Sequence, residues 1–228
     1  MARHKFSANK VRSDAPVVVM GLGRFGKSLA LELVEEGIEV LGIDQDIKVV
    51  QSLAGRLTHV VEADTTNAEA MRQLSVHEFD RAVIGIGTNL ESSILSASVL
   101  LDLGVPHVWA KAVTASHSRI LAQLGVHHVV RPEHDMGKRV AHLVRGRMLD
   151  YMEFDDGYAI VKTRPPRSMC GLSLGESTVR TQYGVTVVGV KRAGQGFSHA
   201  TAETMVEEGD LIIVSGTSAD VERVSGIQ

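Results

Sequence analysis

The feature that most constrains this chain is a short apolar run, Val17-Val18-Val19-Met20, that leads directly into Gly21-Leu22-Gly23-Arg24-Phe25-Gly26. A brief, wholly apolar run ending in glycine predicts a strand buried on both faces of a parallel sheet. Beyond it, Phe25, Leu29, Leu33 and Val34 fall at helical spacing across residues 25–36, and Gly37 supplies the stop. A G-x-G-x-x-G between a strand and a helix has a mechanism. Gly21 permits the tight turn, Gly23 lets the backbone approach a phosphate, and Gly26 lets the helix pack close to the strand. The helix start then offers unpaired N–H groups and a partial positive charge to an anion. Gly21, Gly23, Arg24, Phe25 and Gly26 are therefore candidate nucleotide contacts. Taken alone, the pattern also describes an ordinary glycine turn.

A second element strengthens the nucleotide reading. Val40-Leu41-Gly42-Ile43 reads as the next buried strand, and Asp44 ends it, at the place where an acidic side chain receives ribose hydroxyls. An aspartate there also repels a 2′-phosphate, which disfavours NADP. Arg24, inside the loop, can pair with phosphate oxygens in bidentate fashion, which suits the terminal phosphate of ATP or ADP as well as a pyrophosphate. The alternative is a solvated surface arginine. Asp64 follows a third strand, His59-Val60-Val61, and either faces the adenosine end or caps a helix starting near 67. Gly87 and Asn89 follow the fourth strand (82–86) and Lys111 the fifth (108–110). All three lie at the carboxyl ends, where an open α/β sheet places its ligands.

Helices near 46–54, 67–74, 90–103 and 115–124 alternate with these strands and with a sixth at 128–130. The expected fold is α/β, a doubly wound parallel Rossmann-like sheet over 15–132. Residues 133–149 read as one further helix, a crossover segment spanning 133–150. The region 151–228 then changes character, with strand-like stretches in 152–163, 185–190 and 211–214. Arg164-Pro165-Pro166-Arg167 breaks the chain, and a turn cluster covers 192–196. This is a small α+β domain whose size calls for support from docking or dimerisation. Residues 1–14, with Arg3, Lys5, Lys10 and Arg12 and no apolar run, read as a disordered tail.

Composition removes several function classes. A net charge of −3 and a pI near 6.4 argue against nucleic acid as the partner. Cys170 is the only cysteine, so no internal disulfide forms and a reducing compartment is the simplest setting. No apolar stretch approaches the roughly 20 residues that a membrane span needs, so any membrane role is peripheral and runs through a partner. Neither H-E-x-x-H nor C-x-x-C occurs. The ten histidines are scattered, and His127 and His128, flanking a strand, read as structural. No proton-transfer residue stands out, and catalysis is not expected. The alternative is a small NAD-dependent oxidoreductase, which the glycine loop and Asp44 alone would fit. A redox-sensing repressor is disfavoured because no basic DNA-reading helix is present.

The chain resembles the RCK (regulator of potassium conductance) proteins, in particular the gating subunits of Trk/Ktr-type potassium uptake systems. The likeness runs from about Val17 to Ser215. It rests on Gly21-Leu22-Gly23-Arg24-Phe25-Gly26, Ile43-Asp44, Thr58-His59, Ala63-Asp64, Phe79-Asp80, Ala110-Lys111-Ala112 and His117. Arg131-Pro132-Glu133-His134-Asp135-Met136-Gly137, Tyr183-Gly184 and Glu208-Gly209-Asp210 extend it. The resemblance implies a regulator without a reaction of its own, cytoplasmic and held on the inner face of the membrane by a potassium channel or transporter subunit. It implies dimers that assemble into an octameric ring. ATP and ADP would compete for the Rossmann site, with NAD or NADH also described in the family. In that scheme the glycine loop holds phosphates, Arg24 reads the γ-phosphate and Asp44 holds the ribose. Glu133 corresponds to a position where a carboxylate helps bind a divalent or monovalent cation at the dimer interface. Its other reading is a helix-start carboxylate favoured by the dipole. Relatives also bind cyclic di-AMP in the second domain. Arg180, Tyr183 and Gly184 match that pattern, but Thr186 replaces an asparagine and a proline expected near residue 200 is absent. These departures argue against cyclic di-AMP here.

Overall fold

The computed structural model describes residues 14–227. The expected tail over 1–14 thus lies outside the described residues, except for Asp14, which stands in a turn. The chain divides into two compact units, one ending at Pro132 and the other beginning at Glu133.

In the first unit the elements run β1 (Val17–Met20), α1 (Arg24–Glu35), β2 (Val40–Asp44), α2 (Ile47–Leu53), β3 (His59–Glu62) and α3 (Ala68–Gln73). They continue with β4 (Arg81–Ile84), α4 (Leu90–Asp102), β5 (His107–Lys111), α5 (Ala115–Leu124) and β6 (His128–Val130). The six strands form one sheet in the order β3-β2-β1-β4-β5-β6, and every pairing is parallel. Strand periodicity distributes the side chains of β1 between two cores. Val17 and Val19 join Leu22, Ala30 and Leu53 on one face, while Val18 and Met20 join Ile43, Ile84, Leu100 and Leu121 on the other. All four β1 residues are at most 3% exposed, the burial expected of a central parallel strand covered by helices on both sides. β1 lies between β2 and β4, so the connections leaving their carboxyl ends diverge and open a crevice there.

The second unit contains α6 (Pro132–Val144), β7 (Asp150–Glu153), β8 (Tyr158–Thr163), α7 (Val179–Tyr183), β9 (Thr186–Lys191), β10 (Phe197–His199), β11 (Leu211–Thr217) and α8 (Ser218–Ser225). Its sheet has the order β10-β9-β11-β8-β7 and is antiparallel throughout. Val161, Ile212, Val214, Val221 and Val224 lie at the centre of its core, and α8 packs on β8 and β11. The helix expected over 133–149 stops at Val144. Gly146 takes φ +74°, Met148 turns into the core, and Leu149 N–H donates to the Lys162 carbonyl at 2.7 Å, entering the sheet.

Candidate nucleotide-binding site

At the crevice beside β1 lies a cavity of about 310 Å³, lined by Gly21, Gly23, Arg24, Phe25, Asp44, Asp64, Gly87, Asn89 and Lys111. Gln45, Ala63, Thr65, Gly85, Ile86, Thr88 and Ser92 complete the lining. The glycine loop is held by its neighbours on both sides. Gly21 N–H donates to the Ile43 carbonyl at 2.8 Å, and Gly85 N–H donates to the Met20 carbonyl at 2.7 Å. Gly21 has φ +84°, a conformation that costs glycine little. A Cβ on Gly26 would fall 2.0 Å from the Gly21 carbonyl oxygen, and one on Gly85 would fall 2.6 Å from the same atom. These two glycines therefore serve packing beneath the loop, and Gly26 does not line the cavity. At Gly23 a Cβ would meet no protein atom. The protein sets no steric demand for glycine at that position, which opens into the cleft.

The start of α1 differs from its neighbours. Asp46 caps α2, Asn67 caps α3, Asn89 caps α4 and Thr114 caps α5, each through a side-chain oxygen that accepts a backbone N–H. Gly23 at the N-cap of α1 supplies no such bond, and the first turn has no acidic residue. The start of α1 therefore lacks the internal side-chain cap of its neighbours and borders the cleft through Gly23, Arg24 and Phe25, so the site suits an anion.

Two cationic side chains stand on this side. Arg24 is exposed. Lys111 is 9% exposed, with its Nζ 5.7 Å from the centre of the Phe25 ring. Gly87 leaves room for Lys111, since a Cβ there would sit 3.3 Å from Nζ. Asp44 Oδ2 accepts from Leu22 N–H at 2.7 Å and Oδ1 accepts from Asp46 N–H at 2.9 Å. Each oxygen keeps acceptor capacity for a hydroxyl. The cleft thus combines the cations Arg24 and Lys111 with the carboxylates Asp44 and Asp64 in one lining.

The reading of Asp64 as a helix cap is corrected. Its Oδ1 accepts from Thr66 N–H and from Thr66 Oγ1, closing a local turn. The cap of α3 is Asn67, whose Oδ1 accepts from Glu69 and Ala70. Asn89 lines the cleft while capping α4 through Ser92 N–H. Glu133 is not among the lining residues. It stands with Asp135 in the first turn of α6, in the second unit. Among the described residues, no group of three or more His, Cys, Asp or Glu gathers as a metal site. Arg180 lines a separate groove of about 440 Å³ with Thr186 and Thr201. Tyr183 is not part of that lining and packs against the second core.

Sequence reasoning missed Gly85, Thr65 and Ser92. Thr65 is buried and shares a 2.7 Å hydrogen bond with Ser96, which ties the loop after β3 to α4. Gly85 carried a signal, a glycine ending an apolar strand, but only the β1–β4 pairing shows that it underlies the glycine loop.

Comparison with known proteins agrees with this architecture. Residues 17–132 match the TrkA-N domain and residues 158–227 the TrkA-C domain. The chain is 34% identical to Ktr system potassium uptake protein C of Bacillus subtilis, over 90% of this chain and 93% of that protein. It is 32% identical to Ktr system potassium uptake protein A of the same organism, with the same coverage. A solved structure described as the GsuK channel bound to NAD superposes with a TM-score of 0.64 at 18% identity. That match covers 96% of this chain and 40% of the channel chain, and it shows a shared fold. The chain belongs to the family of TrkA-N and TrkA-C domain proteins that includes the Ktr system potassium uptake proteins.

Proposed function

We propose that this chain is the nucleotide-sensing regulatory subunit of a potassium uptake system, on the cytoplasmic face of the membrane and attached there through a channel or transporter subunit. The observation that carries the reading is the uncapped start of α1, bordering a cleft that has Arg24, Lys111 and Asp44 in its lining. Phosphoryl oxygens would accept from the α1 amides, Arg24 would read the terminal phosphate, and Asp44 would accept from ribose hydroxyls. The GsuK channel, solved bound to NAD, supports that nucleotide as a ligand of one protein of this fold. Arg24, beyond the loop glycines, favours ATP and ADP for this chain.

Gating follows from differential affinity. A nucleotide shifts a ring of such subunits between shapes only as far as it binds one shape more tightly than the other. In this proposal ATP favours the conducting shape and ADP the other, in a dimer-based octamer. No helix among the described residues is long and apolar enough to cross a membrane, so attachment to the membrane is assigned to the partner.

Titration calorimetry of the purified chain with ATP, ADP and NAD tests the input. Micromolar binding of ATP or ADP that Arg24→Ala weakens supports the proposal, and indifference to all three at millimolar levels overturns it. Incubation with NADH and simple ketones separates the oxidoreductase alternative, since turnover would appear as falling nicotinamide absorbance.

A further inference from the structure

The second unit contains another concave site, of about 310 Å³, between the end of α6, the loop after it and α8. Its wall carries His142, Arg145, Arg147, Glu222 and Arg223. Glu222 Oε1 lies 3.1 Å from His142 Nδ1 and 3.4 Å from an Arg145 guanidinium nitrogen. Arg223 pairs with Asp220. Arg147 has no carboxylate within ion-pair distance among the described residues. The wall thus presents three guanidinium groups and one carboxylate, and among the described residues Arg147 has no carboxylate partner.

The surrounding structure fixes this arrangement. The His142 ring stacks on Tyr151 with centres 3.9 Å apart. The Arg147 carbonyl accepts from the buried Thr163 hydroxyl at 3.0 Å, which pins the backbone. One Arg147 terminal nitrogen lies 3.0 Å from where a Cβ on Gly226 would stand, so glycine at the end of α8 leaves space for that guanidinium. A single arginine at a helix end compensates a dipole. Three arginines around one concavity exceed that need, and their planar forks match phosphate oxygens.

We propose that this cleft binds a small phosphorylated ligand through its phosphoryl dianion, with Arg147 and Arg223 as the principal donors and Arg145 held in place by Glu222. The buried Met148 supplies an apolar floor. The residues belong to neither the cleft at the glycine loop nor the groove at Arg180. A ligand there would fasten the end of α6 to α8 within the second unit.

The test uses the full chain without nucleotide and titrates inorganic phosphate at constant ionic strength against chloride, with Arg24→Ala run in parallel so that any phosphate bound at the glycine loop is told apart from phosphate bound here. Saturable binding is expected. Arg147→Gln should weaken it at least about tenfold and Arg147→Lys by less, because a point charge replaces a fork. Thermal unfolding identifies variants that have lost their structure, and Arg145→Gln, on an exposed side chain outside any helix, provides a second variant. A phosphate response matched by chloride, or equal affinity in wild type, Arg147→Gln and Arg145→Gln, would overturn the proposal.

Discussion

The carboxylate of Asp44 accepts the amide proton of Leu22 at 2.7 Å, so the side chain assigned to a sugar also fastens the loop assigned to a phosphate. Asp44→Ala removes both roles. Nucleotide affinity should fall about 10–100-fold and the thermal midpoint should drop, since a charged acceptor of a part-buried amide is lost. Asp44→Asn keeps an oxygen for Leu22 but loses the charge. Its midpoint should stay closer to wild type while ADP affinity still falls, which calorimetry combined with thermal unfolding resolves.

The glycines of the loop should separate into two classes. Gly26→Ala places a methyl 2.0 Å from the Gly21 carbonyl oxygen and should destabilise the chain by about 3 kcal/mol or more, because backbone must move. Gly23→Ala faces open space with an ordinary φ of −62°. Its stability should change by less than about 0.5 kcal/mol, yet its affinity for ADP should fall. Equal effects of the two substitutions on stability would contradict the division.

Arg24 should discriminate between nucleotides. Arg24→Ala is expected to reduce ATP affinity about tenfold or more and ADP affinity less, with little change in thermal midpoint because the side chain is exposed. Arg24→Lys should restore only part of the loss. Competition binding at fixed ionic strength measures the ratio.

Acid stability should depend on Asp150. The hydrogen bond from Arg139 holds its carboxyl below the usual aspartate range, with a contribution from Tyr151 N–H, against the opposing effect of burial. A depressed native pKa means the unfolded chain binds the proton more tightly. The associated stability is present above about pH 3.9 and is lost as pH falls through the lowered native value. Both side chains are more than 40% exposed, so Arg139→Ala should cost about 0.5–1 kcal/mol at neutral pH and almost nothing near pH 2. Urea unfolding at the two pH values checks the sign.

Histidine burial acts in a neighbouring pH range. His117 is 2% exposed, its Nδ1 accepts from Val113 N–H at 3.4 Å, and burial lowers its pKa. Burial and the nearby His107 and His128 lower that of His127, whose Nδ1 accepts from Val108 N–H. Protonation is then favoured in the unfolded chain. Stability should decline as pH falls below about 6.5, with a shallower decline in His127→Gln. A pH series of thermal midpoints reads the slope.

The first unit was legible because its signals are local. Apolar runs ended by glycine mark the strands, and apolar residues at helical spacing mark the helices between them, without knowledge of their neighbours; the caps Asn67, Asn89 and Thr114 were not read as such. The loop and Asp44 lie on adjacent strands whose order the motif itself implies. Gly85 was not legible, since its role depends on β4 lying beside β1. The second unit hid more. α7 has five residues, too few to display a period. β11 continues through Ser215, Gly216 and Thr217, which carry no apolar pattern but pair with Ile160, Ala159 and Tyr158. β10 is a short edge strand with every residue exposed, and the end of α6 was set by the backbone at Gly146 rather than by its apolar residues.

The missing cap on α1 has a thermodynamic corollary. A helix that leaves its first amides for an outside acceptor is completed by whatever enters the cleft, so the melting of the whole first unit becomes a readout of nucleotide supply, rising with the logarithm of free ligand above its dissociation constant. The opening turn of α1 would then exchange its amide protons faster in the bare chain than in the loaded one, a local firmness supplied from outside the fold.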